Sequence, residues 1–430
     1  MKEDLLQFVW SRQAFSRPAF SHLGEEIIVL NPGTWNTDSG PDFLNARIVI
    51  GGIEWVGHVE VHVLSSGWKL HTHDQDQNYN NVILHVVWQN DKPAERYDKT
   101  LIPALELKDK IPLSLLDTYE KLNQAAEVPC TMINHKFSLK EIRDVLLEHA
   151  EDRLIRKAQD IVKLLNENSG DWEETAYQLL MERAGLKINN YPFKVLAKSL
   201  PFKIIKKHSH KPEEVEALLF GQAGFLNKNF TEEYPSLLNE IYSYLKHKYQ
   251  LSLRLNDNDW KFLRTRPANF PTLRIAELSA FFSKTDNLFS EITRMRSVTD
   301  AYDLLSAQLH CYWTNHFRFE EKSENVRRTG MGKTGFENIV INCFAPLIAA
   351  FGIVTNEDKY IERARKLMSE ARAEDNIITR KFQSLYDKPD SAFVSQGMIQ
   401  LYNNFCSKKK CLNCKIGQQF LNYHCVSLDN

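Results

Sequence analysis

The sequence predicts an α+β chain in two parts, a mixed β domain over about residues 1–135 and a larger, all-helical region over about 136–430 that closes on a cysteine knuckle. Three observations predict it. Between Ile27 and Leu107 lie short apolar runs, alternating over Phe43–Ile50 and Trp55–Leu64 and bounded by turn residues, the strand pattern. From Ser138 onward apolar residues recur with a 3.6-residue period, the helical one. Near the C-terminus, Cys406-x4-Cys411-x2-Cys414 has the spacing of a metal-binding turn.

Residues 2–20 begin the chain as an amphipathic helix, with Leu5, Leu6, Phe8, Val9 and Phe15 on its apolar side. Ile27–Leu30 is a strand ended by Asn31-Pro32-Gly33. Phe43–Ile50 and Trp55–Leu64 are strands joined by Gly51-Gly52, a hairpin signal. Asp74–Asn81 suits a short helix, and Val82–Trp88 and Leu101–Leu107 are further strands. Ser138 followed by Glu141 is a capping box. Helical periodicity then covers 139–166, 172–185, 213–226, 233–248, 273–283, 299–310, 336–352, 356–372 and 391–405. Pro192, Pro201, Pro212, Pro267, Pro271 and Gly330–Gly335 punctuate it.

At 430 residues, 43% hydrophobic and 25% charged, the chain has ample core for two or three domains. Its net charge of -1 conceals an asymmetry. Residues 1–130 carry 11 Lys and Arg against 18 Asp and Glu, or -7; the remainder carries 43 against 37, or +6. If an anionic polymer binds, the helical part steers it and the acidic part needs cations to approach it. Met1–Trp10 has none of the pattern of a secretory signal. The longest apolar run, Ile339–Val354, is short for a bilayer and reads as a buried helix. The expectation is a cytoplasmic protein with no membrane partner. Seven cysteines, three of them within nine residues, fit a metal site in a reducing compartment rather than a disulfide framework.

The stretch from Gly33 to Val87 carries the chemistry. His58, Glu60 and His62 are spaced by two, so one strand presents all three on one face, with Val59, Val61 and Val63 on the other. Five of the 14 histidines, His58, His62, His71, His73 and His85, fall within 28 residues. Asp42 opens the preceding strand, where it can stand beside Glu60. Paired carboxylates on neighbouring strands suit a hard divalent cation, Mg²⁺ or Mn²⁺. Structural histidines paired with backbone or carboxylate are the bland alternative.

Pro41-Asp42, followed 18 residues later by Glu60-Val61-His62, resembles the PD-(D/E)XK nuclease pattern. That superfamily has a helix, a three-stranded meander, a helix and a further strand, and the order read above is similar. The resemblance implies a nuclease-like domain hydrolysing phosphodiester bonds, with Asp42 and Glu60 as ligands of Mg²⁺ or Mn²⁺ and His62 at the lysine position. His58, His71, His73 and His85 would complete the shell. The departure lies at His62, which serves as base or ligand but carries no fixed positive charge. Two alternatives stand beside it: a degenerate nucleic-acid- or protein-binding scaffold, and a histidine-rich metalloenzyme acting on a small substrate. At whole-chain level the sequence also resembles an uncharacterised bacterial domain-of-unknown-function family. Gly40-Pro41-Asp42-Phe43, Val59–His62, Trp68 with His71 and His73, Asn81–Val87, Arg266-Pro267, Asn269–Pro271 and Cys406–Gly417 carry that resemblance.

In the knuckle, Cys406, Cys411 and Cys414 need a fourth ligand, for which Cys425, His424 and the distant Cys130 are candidates. Zn²⁺ is the default, and an Fe–S cluster also takes four cysteines. Some PD-(D/E)XK nucleases close on such a cluster with one cysteine far upstream, an arrangement similar to Cys130 with the other three. Gly330-Met331-Gly332-Lys333-Thr334 is not a P-loop, because Arg327 occupies the position of the first glycine. Arg264 and Arg266, and Arg327, Arg328 and Lys333, form local basic groups that suit contact with nucleic-acid phosphate; solvated loops are the plainer reading.

Overall fold

The computed structural model describes the chain except residues 37, 125–126, 133–137, 253, 264, 325–331 and 424–430. It forms two compact units: Met1–Val145 with Lys381–Asp387 and Leu401–Asn430, and Leu146–Arg380 with Lys388–Gln400. The cysteine segment therefore clusters with the β unit, whereas the sequence division at 135/136 grouped it with the helices.

In the first unit, α1 (Glu3–Arg12) precedes β1 (Ala19–Phe20), β2 (Glu26–Asn31), β3 (Thr34–Trp35), β4 (Phe43–Ile50) and β5 (Ile53–Leu64). A short α2 (Gly67–Leu70) and two single 3₁₀ turns, His73–Gln75 and Gln77–Tyr79, lead to β6 (Val82–Gln89), β7 (Ala104–Glu106) and α3 (Leu113–Gln124). The main sheet runs β1-β2-β4-β5-β6-β7, with β3 paired to β4. Strands β2, β4 and β5 are antiparallel; β5, β6 and β7 are mutually parallel. A parallel neighbour requires a crossover, and the segment 65–81 supplies it between β5 and β6.

Helix α1 ends earlier than the periodicity alone suggests. Gln13 adopts φ 51°, and its N–H and that of Ala14 close on the last carbonyls. Leu5, Leu6, Phe8, Val9 and Trp10 are buried, and the helix packs against β5 and β6. Trp10 Nε1 donates to Pro32 O at 3.0 Å, which ties the helix to the turn after β2. Glu3 and Gln7, four apart, share one side of the helix. Around α2, Trp68, Tyr79, Val82, Ala94 and Ile102 form a separate apolar cluster that holds the crossover in place. Trp68 Nε1 is satisfied by Glu95 O at 2.8 Å.

The remaining helices are α4 (Leu139–Glu167), α5 (Trp172–Ala184), α6 (Asn190–Ser199), α7 (Phe202–Lys206), α8 (Pro212–Gln222), α9 (Glu233–Tyr249), α10 (Pro271–Phe282), α11 (Leu288–Arg294), α12 (Val298–Leu305), α13 (Lys333–Ile339), α14 (Ala345–Thr355), α15 (Asp358–Glu370), α16 (Ile377–Lys381), α17 (Ala392–Asn404) and α18 (Lys415–Tyr423). A two-stranded hairpin, β8 (His316–Arg318) with β9 (Glu321–Lys322), interrupts them. Helices α13 and α14 are continuous through a π turn at Val340–Phe344. Pro346 has no N–H to return to Asn342 O, which is where the helix widens. The span Lys333–Thr355 is long and apolar enough to cross a membrane, but 67% of its apolar 18-residue window is buried within the fold. It is a core helix, as Ile339–Val354 was expected to be.

Candidate metal centre

The start of β4, strand β5, the crossover 65–81 and strand β6 bring the acids and imidazoles together. The register pairs Phe43 with Val59 across β4 and β5, so Asp42 stands beside Glu60. Asp42 N–H donates to Glu60 Oε2 at 3.1 Å. Asp42 Oδ2 accepts from Val61 N–H at 3.0 Å, and its Oδ1 accepts from Gln7 Nε2 at 2.9 Å. The carboxylate is thus fixed from both strand and helix. Burial, then the Glu60 charge, pushes the Asp42 carboxyl up to about 7, against the pull of its hydrogen bonds. Two carboxylates pressed together in a half-dry site call for a cation.

Imidazoles occupy the other side of Glu60. His73 Nε2 lies 3.2 Å from Glu60 Oε1, and His62 Nε2 lies 3.8 Å from the same oxygen. His62 Nε2 is 3.0 Å from His71 Nδ1, and His62 Nδ1 is 2.9 Å from His85 Nε2. Among the described residues, donor atoms of His62, His71 and His73 form a set of three within 4.8 Å of one another. Glu60, His62, His73 and His85 are buried, while His71 is exposed. Despite its nearness to Glu60, His73 Nε2 has no hydrogen bond of acceptable geometry, and it is buried. Such an orphaned ring nitrogen is costly unless something coordinates it. The donor set fits a divalent ion.

The ring states follow from the environment. Burial, and then His85, His73 and His71, takes His62 down to about 2; burial and His73 take His85 to about 3. Both are neutral. Each ring then has one N–H. If His62 Nδ1–H donates to His85 Nε2, the lone pair on His62 Nε2 is left to face Glu60 and His71, the tautomer a metal needs. Gly67 makes room for this ring, because a Cβ there would lie 2.9 Å from His62 Cδ2. Tyr79 stacks on His73 with centroids 3.8 Å apart, and Trp68 packs edge-on against His73.

His58 stands apart from this set in its contacts. The β5–β6 register slips between His58 and Val59, and His58 Nδ1 accepts from Asn45 N–H at 3.3 Å. A strict two-residue alternation cannot anticipate that slip. Two further residues enter that sequence reasoning missed. Gln7 holds Asp42, and Glu3 is raised by burial and then by Glu60, while His71 and His73 lower it. Their i, i+4 spacing on the first helix was the signal, but it means nothing until the helix is placed on the sheet. Arg266 and Lys333 are exposed. Arg264, Arg327, Arg328, His424 and Cys425 lie outside the described residues. Cys130, Cys406, Cys411 and Cys414 are buried free thiols within the first unit.

The profile of a family described as protein of unknown function, DUF2851, matches residues 3–377. The chain belongs to the DUF2851 family. The matched span takes in Glu3, Asp42, Glu60 and every histidine of the centre, and it stops short of Cys406. Curated proteins and solved structures give no match to this DUF2851 chain.

Proposed function

We propose that the first unit is a metal-dependent hydrolase of the PD-(D/E)XK nuclease type, cleaving phosphodiester bonds in nucleic acid. The observation that carries this reading is the pairing of Asp42 with Glu60 through the Asp42 N–H, with His62 two residues further on the same strand. The order of elements supports it: a helix, the antiparallel β2-β4-β5 meander, a helical crossover and the parallel strand β6. A bound cation would polarise the phosphoryl oxygen and lower the pKa of a water nucleophile. Asp42, Glu60, His62, His71 and His73 are the residues that would hold it. Of the two cations expected, imidazole donors favour Mn²⁺ over Mg²⁺.

The remaining roles belong to the chain itself. Gln7 and the Val61 N–H lock the Asp42 carboxylate, and His85 Nε2, by accepting from His62 Nδ1–H, would select the His62 tautomer. His62, held neutral by burial, is a ligand or a proton acceptor and does not supply the positive charge of the lysine it replaces. Nucleic acid is the partner that the +6 charge of residues 131–430 suits. A second reading rests on the closeness of His62, His71 and His73: a histidine-bound transition metal acting on a small substrate.

The test is cleavage of labelled single- and double-stranded DNA and RNA with Mn²⁺ or Mg²⁺, comparing wild type with Asp42→Ala and Glu60→Ala. Cleavage by wild type and its loss in both variants are expected. A wild type that binds Mn²⁺ at this site yet leaves every polymer intact would move the reading to the small-substrate metalloenzyme. One that binds nucleic acid but no metal would leave a degenerate scaffold.

A further inference from the structure

The first unit also gathers four cysteines from distant parts of the chain. Cys130 lies in the turn Pro129–Met132; Cys406 and Cys411 begin the turns Cys406–Lys408 and Cys411–Asn413; Cys414 directly precedes α18. Helix α3 packs against both the Cys130 turn and α18, and α18 packs against the Cys411 turn. All four thiols are buried and none is in a disulfide. They are near enough to repel as thiolates: after burial, the charges of Cys414, Cys411 and Cys406 raise Cys130 further.

An ordinary apolar core does not account for three other features. The Cys414 sulfur receives backbone N–H groups of Gly417 and Ile416, donors that stabilise a thiolate. Lys409, held in a left-handed conformation at φ 54°, buries its Nζ with no hydrogen-bond partner, and its charge acts on Cys406 and Cys411. An unpaired buried ammonium is strongly unfavourable beside neutral thiols and favourable beside an anionic centre. At Gly417 a Cβ would lie 2.2 Å from Cys411 O, so glycine is what lets α18 close onto the turn.

We propose that Cys130, Cys406, Cys411 and Cys414 together bind a metal centre through four thiolates, fastening the C-terminal segment to the turn after α3, with Lys409 balancing its charge. Among the three candidates for the fourth ligand, the structure brings Cys130 to the other three. The occupant is a zinc ion or an iron–sulfur cluster. Among the described residues, no three of these sulfurs lie within 4.8 Å of one another. Zinc, with bonds of about 2.3 Å, draws its thiolates to roughly 3.8 Å apart.

The experiment uses the full chain purified without oxygen. Zinc, iron and acid-labile sulfide are measured per chain, with the visible spectrum. Iron with matching sulfide and a broad visible band would identify the cluster; about one zinc per chain without sulfide would identify the single ion. Either supports the site, provided the metal falls at least tenfold in Cys130→Ser and in Cys414→Ser. It must persist in Cys311→Ser, which alters an exposed thiol, and in Glu60→Ala, which alters only the histidine centre. Because the ligand variants could fail to fold, the wild type is also titrated with a mercurial reagent, and metal release should track modification of four thiols. A wild type with neither metal, metal retained in Cys130→Ser, or release that does not track the thiols would overturn the proposal.

Discussion

Substituting Asp42 by asparagine should stabilise the metal-free protein and abolish its response to Mn²⁺. The carboxyl of Asp42 rises from 3.8 to about 7 because it is buried and faces Glu60. In the unfolded chain it ionises at its ordinary value, so between those two pH values the folded state binds the proton and the unfolded state does not. Stability therefore falls as pH rises across that window and is flat above it. Three pKa units correspond to about 4 kcal/mol; solvent reaches part of this side chain, which brings the expected loss to about 2–4 kcal/mol. An asparagine keeps the contacts, because its carbonyl still accepts from Val61 N–H and Gln7 can turn its amide to receive the new N–H. Hydrogen exchange of the β5 and β6 peptides in chelator, at pH 5 and pH 8, reports the local free energy directly. Wild type should lose protection between the two pH values and Asp42→Asn should not. Saturating Mn²⁺ should restore wild type at pH 8, by about 2.7 kcal/mol at a hundredfold excess over Kd, and leave the variant unmoved. A variant less protected than wild type at pH 8 in chelator would refute the argument that Asp42 and Glu60 repel in the empty site.

If His85 Nε2 is the acceptor that fixes the His62 tautomer, His85→Ala should drop Mn²⁺ affinity by titration calorimetry about 10- to 100-fold while the fold is kept; an unchanged affinity would mean His62 is oriented by other contacts. Gly67→Ala places a methyl against His62 Cδ2; it should cost about 1–3 kcal/mol in urea unfolding and weaken Mn²⁺ binding as well. In the helical unit, burial raises Glu216 to about 7 although Trp313 Nε1–H donates to it at 2.6 Å. Its folded pKa exceeds the ordinary 4.5, so stability should decline between those pH values, and Glu216→Gln should flatten that decline. A parallel pH profile for wild type and variant in thermal denaturation would contradict it.

Much of the fold was legible because period is a local property. Phe43–Ile50 was bounded as the structure has it, and the long helices α4, α5, α9 and α15 were placed to within a residue or two. Helices α3, α6 and α11 escaped, although α3 (Leu115, Tyr119, Leu122) and α6 (Phe193, Leu196, Ala197) bury apolar residues at helical spacing, so their period was there to be read. The juxtaposition of Asp42 and Glu60 was readable because a hairpin fixes register over short distances. The slip at His58 was not, since a bulge is set by what packs on the strand.

The sequence by itself determined which residue types stand where: alternating His, Glu and His on one strand, an aspartate at the start of its neighbour, and three cysteines in a tight turn. Tertiary structure alone decided which of them meet. The parallel crossover carries His71, His73 and His85 back to Glu60, α1 brings Gln7 and Glu3 to the same acids, and α3 joins Cys130 to a turn at the other end of the chain. The physical reason is that these encounters are settled by burial of apolar faces across long sequence separations, which leaves no trace in local spacing.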